Sequence, residues 1–223
     1  MNWVEFWDKR GTLQGAAGQV GRVVNGQEMD EVLLKKIAQQ IALQLDLKPT
    51  DVLLDVCCGN GALSKLLLPY CKEINGIDFS QALIDKAKKE APPHIQFHCA
   101  SALDFNLPQQ FDKAVLYFSF QYFETYAEGK KVIANMLQHA KPGALLLIGD
   151  ITDSRKFFRY YNSLSALLRW FKQKINKQNN MGKFWHPNEL FKICEELGVK
   201  GQLVQQENWQ PYAGYRFDFL ISK

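Results

Sequence analysis

Cysteine is sparse in this chain: five residues in 223, at positions 57, 58, 71, 99 and 194. The number is odd and no metal-ligand spacing is present. That excludes a disulfide framework and fits a reducing cytoplasm, with no metal expected. Long apolar runs are also missing, and no segment approaches the ~20 apolar residues that a membrane span needs. Residues 1–8 carry an early acid and no long apolar stretch, so no secretory leader is expected. No internal repeat is found. The net charge is only +4, which argues against a large nucleic-acid footprint. What remains, 47% apolar and 22% charged, is expected to fold as one domain, 1–223, with a sizeable core.

The chain is organised around residues 52–64, Val-Leu-Leu-Asp-Val-Cys-Cys-Gly-Asn-Gly-Ala-Leu-Ser. A short apolar run ending near Asp55 predicts a buried parallel strand. It breaks into a turn containing Gly59, Asn60 and Gly61, which opens into a predicted helix over 62–69. Free backbone N–H groups at the start of that helix lie beside the carboxyl end of the strand. Gly59 and Gly61 lack a Cβ and let the backbone approach a ligand. A second acid, Asp78, ends the next predicted strand, 23 positions beyond Asp55. An acid about 20 residues past a Gly-rich turn is placed to bind ribose hydroxyls. An ordinary turn is the plain reading of one Gly-x-Gly; four residues at this spacing on consecutive strands favour a nucleotide site. Gly59-Asn60-Gly61 lacks the third glycine of a dinucleotide fingerprint, which disfavours a nicotinamide enzyme.

The stretch resembles motif I of the class I S-adenosylmethionine-dependent methyltransferases, Asp-x-Gly-x-Gly-x-Gly. It matches at Asp55, Gly59 and Gly61 and differs at Cys57, where the first glycine stands. Asp78-Phe79-Ser80 is similar to the family's ribose-binding acid and following turn. Residues 111–116 look like its fourth strand, and 141–150 like its Lys-Pro-Gly-Gly turn and fifth strand, the strand itself over 144–150. The resemblance implies a doubly wound, Rossmann-like α/β fold. Its seven-stranded sheet is mostly parallel with an antiparallel last strand, and helices cover both faces. It also implies S-adenosyl-L-methionine as cofactor. Asp55, Cys57, Gly59, Asn60, Gly61, Asp78, Phe79 and Ser80 are then candidate cofactor contacts. After strand three the family has an acid for the adenine amino group; Ser101 stands there, with Ala102 and Leu103 beside it. Tyr117 and Phe118 follow strand four, where ring faces attract a sulfonium; the plain reading is core packing.

Around that core, residues 1–46 form an N-terminal arm and a helix, the arm carrying five of the fifteen glycines behind Trp3, Phe6 and Trp7. It is expected to be neither strand nor helix. The resemblance implies a lid over the cofactor, with Arg22 a candidate for the cofactor carboxylate. Residues 50–150 are the cofactor-binding core. Residues 154–186 hold eight bases and no acid, so the rest of the chain nets −4 against a total of +4. Apolar residues recur there at steps of three and four, predicting a basic amphipathic helix. It is either packed on the core with a solvated outer face, or a contact for an anionic acceptor or anionic surface. Residues 187–223 supply a closing helix and two strands. Cys57 and Cys58 are read as small apolar filler, with a reactive pair as the alternative.

Transfer from a sulfonium needs alignment and exclusion of water more than a base. Candidate catalytic residues are Asp150, with Asp153 beside it at the end of strand five, Tyr122 and His186. No Asn/Asp-Pro-Pro-aromatic motif follows strand four, where base-amino methyltransferases carry it; Gln121-Tyr122 stands there. The expected acceptor is a small molecule, anionic or sugar- or lipid-linked. An RNA methyltransferase using the basic helix and a cofactor-binding protein without transfer activity are the alternatives.

Overall fold

The computed structural model describes residues 3–12, 19–21, 23–24, 27–176 and 181–223. Arg22 and Lys177 lie outside the described residues, as do Gly15, Gly18 and Gly26. Seven strands form one sheet: β3 Val52–Val56, β4 Glu73–Asp78, β5 Ile95–Cys99, β6 Phe111–Tyr117, β7 Ala140–Thr152, β8 Lys200–Val204 and β9 Arg216–Ser222. Their order is β5-β4-β3-β6-β7-β9-β8. The first five pair in parallel, while β9 runs antiparallel to both neighbours. A short hairpin, β1 Val23–Val24 with β2 Gln27–Glu28, stands apart from this sheet. The expected fold class is therefore the observed one.

Alternation along the central strands sends side chains to two apolar layers. Leu54, Val56, Leu116 and Ile148 meet α5 Tyr126–Gln138 and α8 Pro187–Glu196 through Val132, Ile133, Leu190 and Ile193. Leu53, Ile74, Val115 and Leu147 face the other way. They pack on α2 Glu31–Gln44, α3 Ala62–Leu67 and α4 Gln81–Lys89 through Ile37, Ile41, Leu63, Leu67 and Ile84. Capping agrees with the sequence. Asp30 accepts the Leu33 N–H at 2.7 Å, and Thr125 with Glu128 closes a capping box on α5. Gly198 ends α8 at φ +69°.

Three expectations are corrected. Trp3–Gly11 is a helix, α1, not an irregular arm. Trp3, Phe6, Trp7 and Arg10 recur at steps of three and four, and Glu5 near the start with Lys9 and Arg10 near the end suits the helix dipole. Its end packs on α4, where the Gly11 backbone comes so near that an added Cβ would lie 3.0 Å from Ala82. The fifth strand begins at Ala140, earlier than expected, because Lys141–Ala144 bulge out between the Phe111 and Lys113 pairings. The basic segment is not one helix. It divides into a 3₁₀ turn Ser154–Lys156, α6 Phe157–Tyr160 and α7 Leu164–Ile175. The break falls at Asn162-Ser163, where Ser163 caps α7 by accepting the Ala166 N–H at 3.2 Å.

Candidate functional site

Strand β3 ends in a loop whose conformation explains its glycines. Cys57, Gly59 and Gly61 all sit at positive φ, +62°, +58° and +73°. An added Cβ on Gly59 would lie 2.7 Å from Val20, and one on Gly61 would lie 2.4 Å from the Phe97 ring. Cys57 occupies the same left-handed region without a glycine's freedom, at a cost of about 1–2 kcal/mol. Its thiol and that of Cys58 are pushed well up by burial and by the Asp55 and Asp78 carboxylates. Neither is a thiolate at neutral pH, which disfavours a reactive pair.

Asp78 faces this loop from the end of β4. Its carboxylate accepts the Gly59 and Ser80 N–H groups, each at 2.9 Å. Burial pushes its pKa up to about 6 despite those bonds, with Asp8 nearby adding to the rise. Lone-pair capacity remains for hydroxyl donors. A cavity of about 200 Å³ opens beside it. Of the candidate cofactor residues, Cys57, Gly59, Asp78, Phe79, Ser101, Ala102, Leu103, Tyr117 and Phe118 line it. Asp55, Asn60, Gly61 and Ser80 do not. Asp55 lies behind the loop and accepts the Ser64 hydroxyl at 2.5 Å. Asn60 receives the Ala62 N–H at 3.3 Å and donates to Gln19 at 3.0 Å. Gly61 caps α3, and Ser80 caps α4 while donating to Asp8 at 2.5 Å. These four shape the loop rather than line the cavity.

A second cavity of about 280 Å³ shares Trp7, Val20, Phe118 and Tyr122 with the first. Trp3 and Trp7 cover Tyr122 with ring centroids 4.6 and 5.5 Å away, so α1 roofs the partition between the two spaces. The second cavity is ionic and rich in tyrosine: Arg10, Asp150 and Arg216 line it with Tyr160, Tyr212 and Tyr215. Arg216 donates to the Asp150 carboxylate at 2.5 Å and to its carbonyl at 2.8 Å, both residues being buried. Gln206 donates to Asp150 and Asp218, and Asp218 accepts the Asp150 N–H at 2.8 Å. Burial raises Asp218 to about 6. In the wall of this cavity the buried Arg216 Nε and Gln121 Oε1 find no hydrogen-bond partner among the described residues. Phe118, just past β6, and Asp150, near the end of the adjacent β7, both hold positive φ, +69° and +59°. Local strain of this kind persists only where surrounding structure enforces it.

The three candidate catalytic residues separate. Tyr122 stands in the partition, its hydroxyl pKa raised by burial. Asp150 lines the second cavity in its ion pair. His186 lines neither cavity: its Nδ1 accepts the Asn188 N–H at 3.2 Å and caps α8. Asp153 is likewise engaged, by Arg155 at 2.8 Å. Sequence reasoning missed Arg10, Tyr160, Arg216 and Asp218, which come from α1, α6 and β9. The one signal was the dense Tyr-Ala-Gly-Tyr-Arg-Phe-Asp run at 212–218.

Residues 53–143 match the family described as a methyltransferase domain. Nodulation protein S of Rhizobium tropici is 29% identical over 122 residues, 54% of this chain and 51% of that protein. This chain therefore spans about half the length of that relative. The ubiquinone biosynthesis O-methyltransferase of Coxiella burnetii is 28% identical over 176 residues, 77% of this chain and 71% of that protein. The structure of N-methyltransferase NodS from Bradyrhizobium japonicum WM9, in complex with S-adenosylhomocysteine, matches with a TM-score of 0.65. It covers 100% of this chain and 97% of that one at 18% identity, a likeness of fold. The domain match over residues 53–143, the sheet order and the glycine loop facing Asp78 all agree with a class I S-adenosylmethionine-dependent methyltransferase, the family that the sequence motifs resemble.

Proposed function

We propose that the protein transfers a methyl group from S-adenosyl-L-methionine to a small-molecule acceptor held in the second cavity. The observation that carries this is the pair of cavities sharing one aromatic partition, with cofactor-type residues on one side and an ionic, tyrosine-rich wall on the other. When bound, S-adenosylmethionine supplies a methyl group on a sulfonium, already activated for displacement.

The residues present fit that cofactor. Asp78 retains acceptor capacity for ribose hydroxyls. Ser101 already accepts the Leu103 N–H at 3.2 Å and keeps its hydroxyl proton to donate, while Ala102 and Leu103 offer apolar contact to a base. Tyr117 and Phe118 pack edge to face at 4.7 Å and present ring surface that favours a cation. Trp3, Trp7 and Tyr122 exclude water from the partition.

The acceptor reading rests on Arg216 Nε and Gln121 Oε1. One asks for an acceptor atom on the ligand and the other for a donor. Arg10 and Arg216 together favour an anionic or oxygen-rich small molecule. Asp150, tied to Arg216, orients that guanidinium. The five cysteines are all free thiols, in keeping with a cytoplasmic site of action.

The test is calorimetric titration with S-adenosylhomocysteine on the wild type and on Asp78→Ala, with NAD as control. Micromolar binding of the former, at least about a hundredfold weaker in the variant, is expected from the loss of a charged hydrogen-bond acceptor. Binding of NAD instead refutes the cofactor assignment. Binding without turnover on any screened acceptor favours a protein that holds the cofactor and does not transfer.

A further inference from the structure

The basic segment presents an apolar face to solvent. On α7, Leu164, Leu168, Phe171 and Ile175 are 73, 63, 59 and 69% exposed, and Phe158 on α6 is 73% exposed. At about 100° per residue the four α7 residues fall within an arc of about 60°. The opposite face is the one that packs. Trp170 packs edge-on against Phe157 with ring centroids 5.2 Å apart, and Ala166 and Leu167 are half-buried. The outward stripe is therefore not a core face turned the wrong way; α7 already has a packed side. Bases stand beside the stripe. Lys172 and Arg169 follow on one side and Lys174 on the other, all exposed. Among the described residues no acid pairs with Arg169, Lys172 or Lys174, whereas Arg155 and Lys183 are tied to Asp153 and Glu189.

A contiguous exposed apolar stripe of four large side chains marks a contact surface. Its chemistry selects the occupant. A second copy of this chain would bring the same bases against themselves. A nucleic-acid backbone would reward the bases and leave the leucines, phenylalanine and isoleucine in water. An anionic bilayer surface satisfies both: headgroups take the lysines and arginine, and the upper acyl region takes the stripe. Long basic side chains flanking an apolar stripe reach outward to headgroups while their stems stay apolar. We propose that α7 docks the protein on an anionic membrane surface, lying in the interface with Leu164, Leu168, Phe171 and Ile175 inserted. Tyr160, just before α7, and Met181, after it, line the second cavity, so the docking element adjoins the acceptor site.

Co-sedimentation with vesicles tests this. Wild-type protein is expected to pellet with phosphatidylcholine vesicles containing a minority of phosphatidylglycerol, and far less with pure phosphatidylcholine. Leu168→Ser with Phe171→Ser should weaken that binding at least about thirtyfold. Lys172→Gln with Lys174→Gln should weaken it about thirtyfold. All four side chains are exposed and outside both cavities, so circular dichroism and S-adenosylhomocysteine affinity should stay at wild-type values, which separates lost docking from lost folding. The proposal is overturned if wild type ignores the anionic vesicles, or if the Leu168/Phe171 pair of substitutions leaves binding intact. It is overturned equally by self-association that the same pair abolishes, and by RNA binding that this pair spares while the lysine pair removes it.

Discussion

At Cys57 a side chain occupies a backbone conformation that glycine adopts at no steric cost. The family pattern has glycine there, and φ of +62° supplies the physical reason. Cys57→Gly should raise stability by up to about 1 kcal/mol, the relief of strain being partly offset by a more flexible unfolded chain. Urea unfolding checks it; a loss of stability would show that thiol packing matters more than strain. Asp78 carries a pH signature. Its carboxyl titrates at about 6, and hydroxyl donors favour the ionised form. S-adenosylhomocysteine affinity should therefore be level above pH 6 and fall about tenfold per unit below it. Folding responds with the opposite sign. A carboxyl raised by burial favours the native state when protonated, and that contribution fades as pH rises from the ordinary carboxylate range through 6. Affinity that stays level down to pH 5 would remove Asp78 from direct contact. Asp55, Gly59, Gly61 and Asp78 were legible because strand periodicity spaced them. Arg216 and Asp218 were not: the 212–218 run marks a dense aromatic and charged stretch, and nothing local says which of its side chains turn inward.

The two elements that differ most from expectation are α1 and α7. The first was masked by the glycines that follow it; once Trp3–Gly11 is helical, its indole rings reach Tyr122. Trp3→Ala removes one roof of the first cavity. It should lower S-adenosylhomocysteine affinity about tenfold with little change in the urea midpoint, since Trp3 is only half-buried. Equal affinity would make α1 a bystander. For α7 the periodicity was right, and the sequence left open whether the core, an anionic acceptor or an anionic surface covers its apolar face. An amphipathic pattern states that a face is apolar, and says nothing of which neighbour covers it. Ser163 as a cap, by contrast, was a local signal for where the basic segment breaks.

Over the whole molecule, the antiparallel strand β9 ties the site to the sheet. It pairs with β7 across a register shift between Ile148 and Ile151, and this shift turns Asp150 toward Arg216. Arg216→Met would strand the Asp150 carboxylate in a buried position, so a loss of about 3–5 kcal/mol is expected in urea unfolding. Adding Asp150→Asn to it should recover part of that loss. A mild effect of the single substitution would mean that water reaches the pair. Strand alternation, glycine placement, helix caps and the spacing of Asp55 and Asp78 are properties of neighbouring residues. The sequence by itself therefore determined the sheet, the helices that cover its two faces and the glycine loop beside Asp78. Arg10, Tyr160 and Arg216 stand up to about two hundred positions apart and meet only when α1, α6 and β9 close on one edge. That meeting, and the outward face of α7, were decided by tertiary packing, because each depends on which surface another element leaves uncovered.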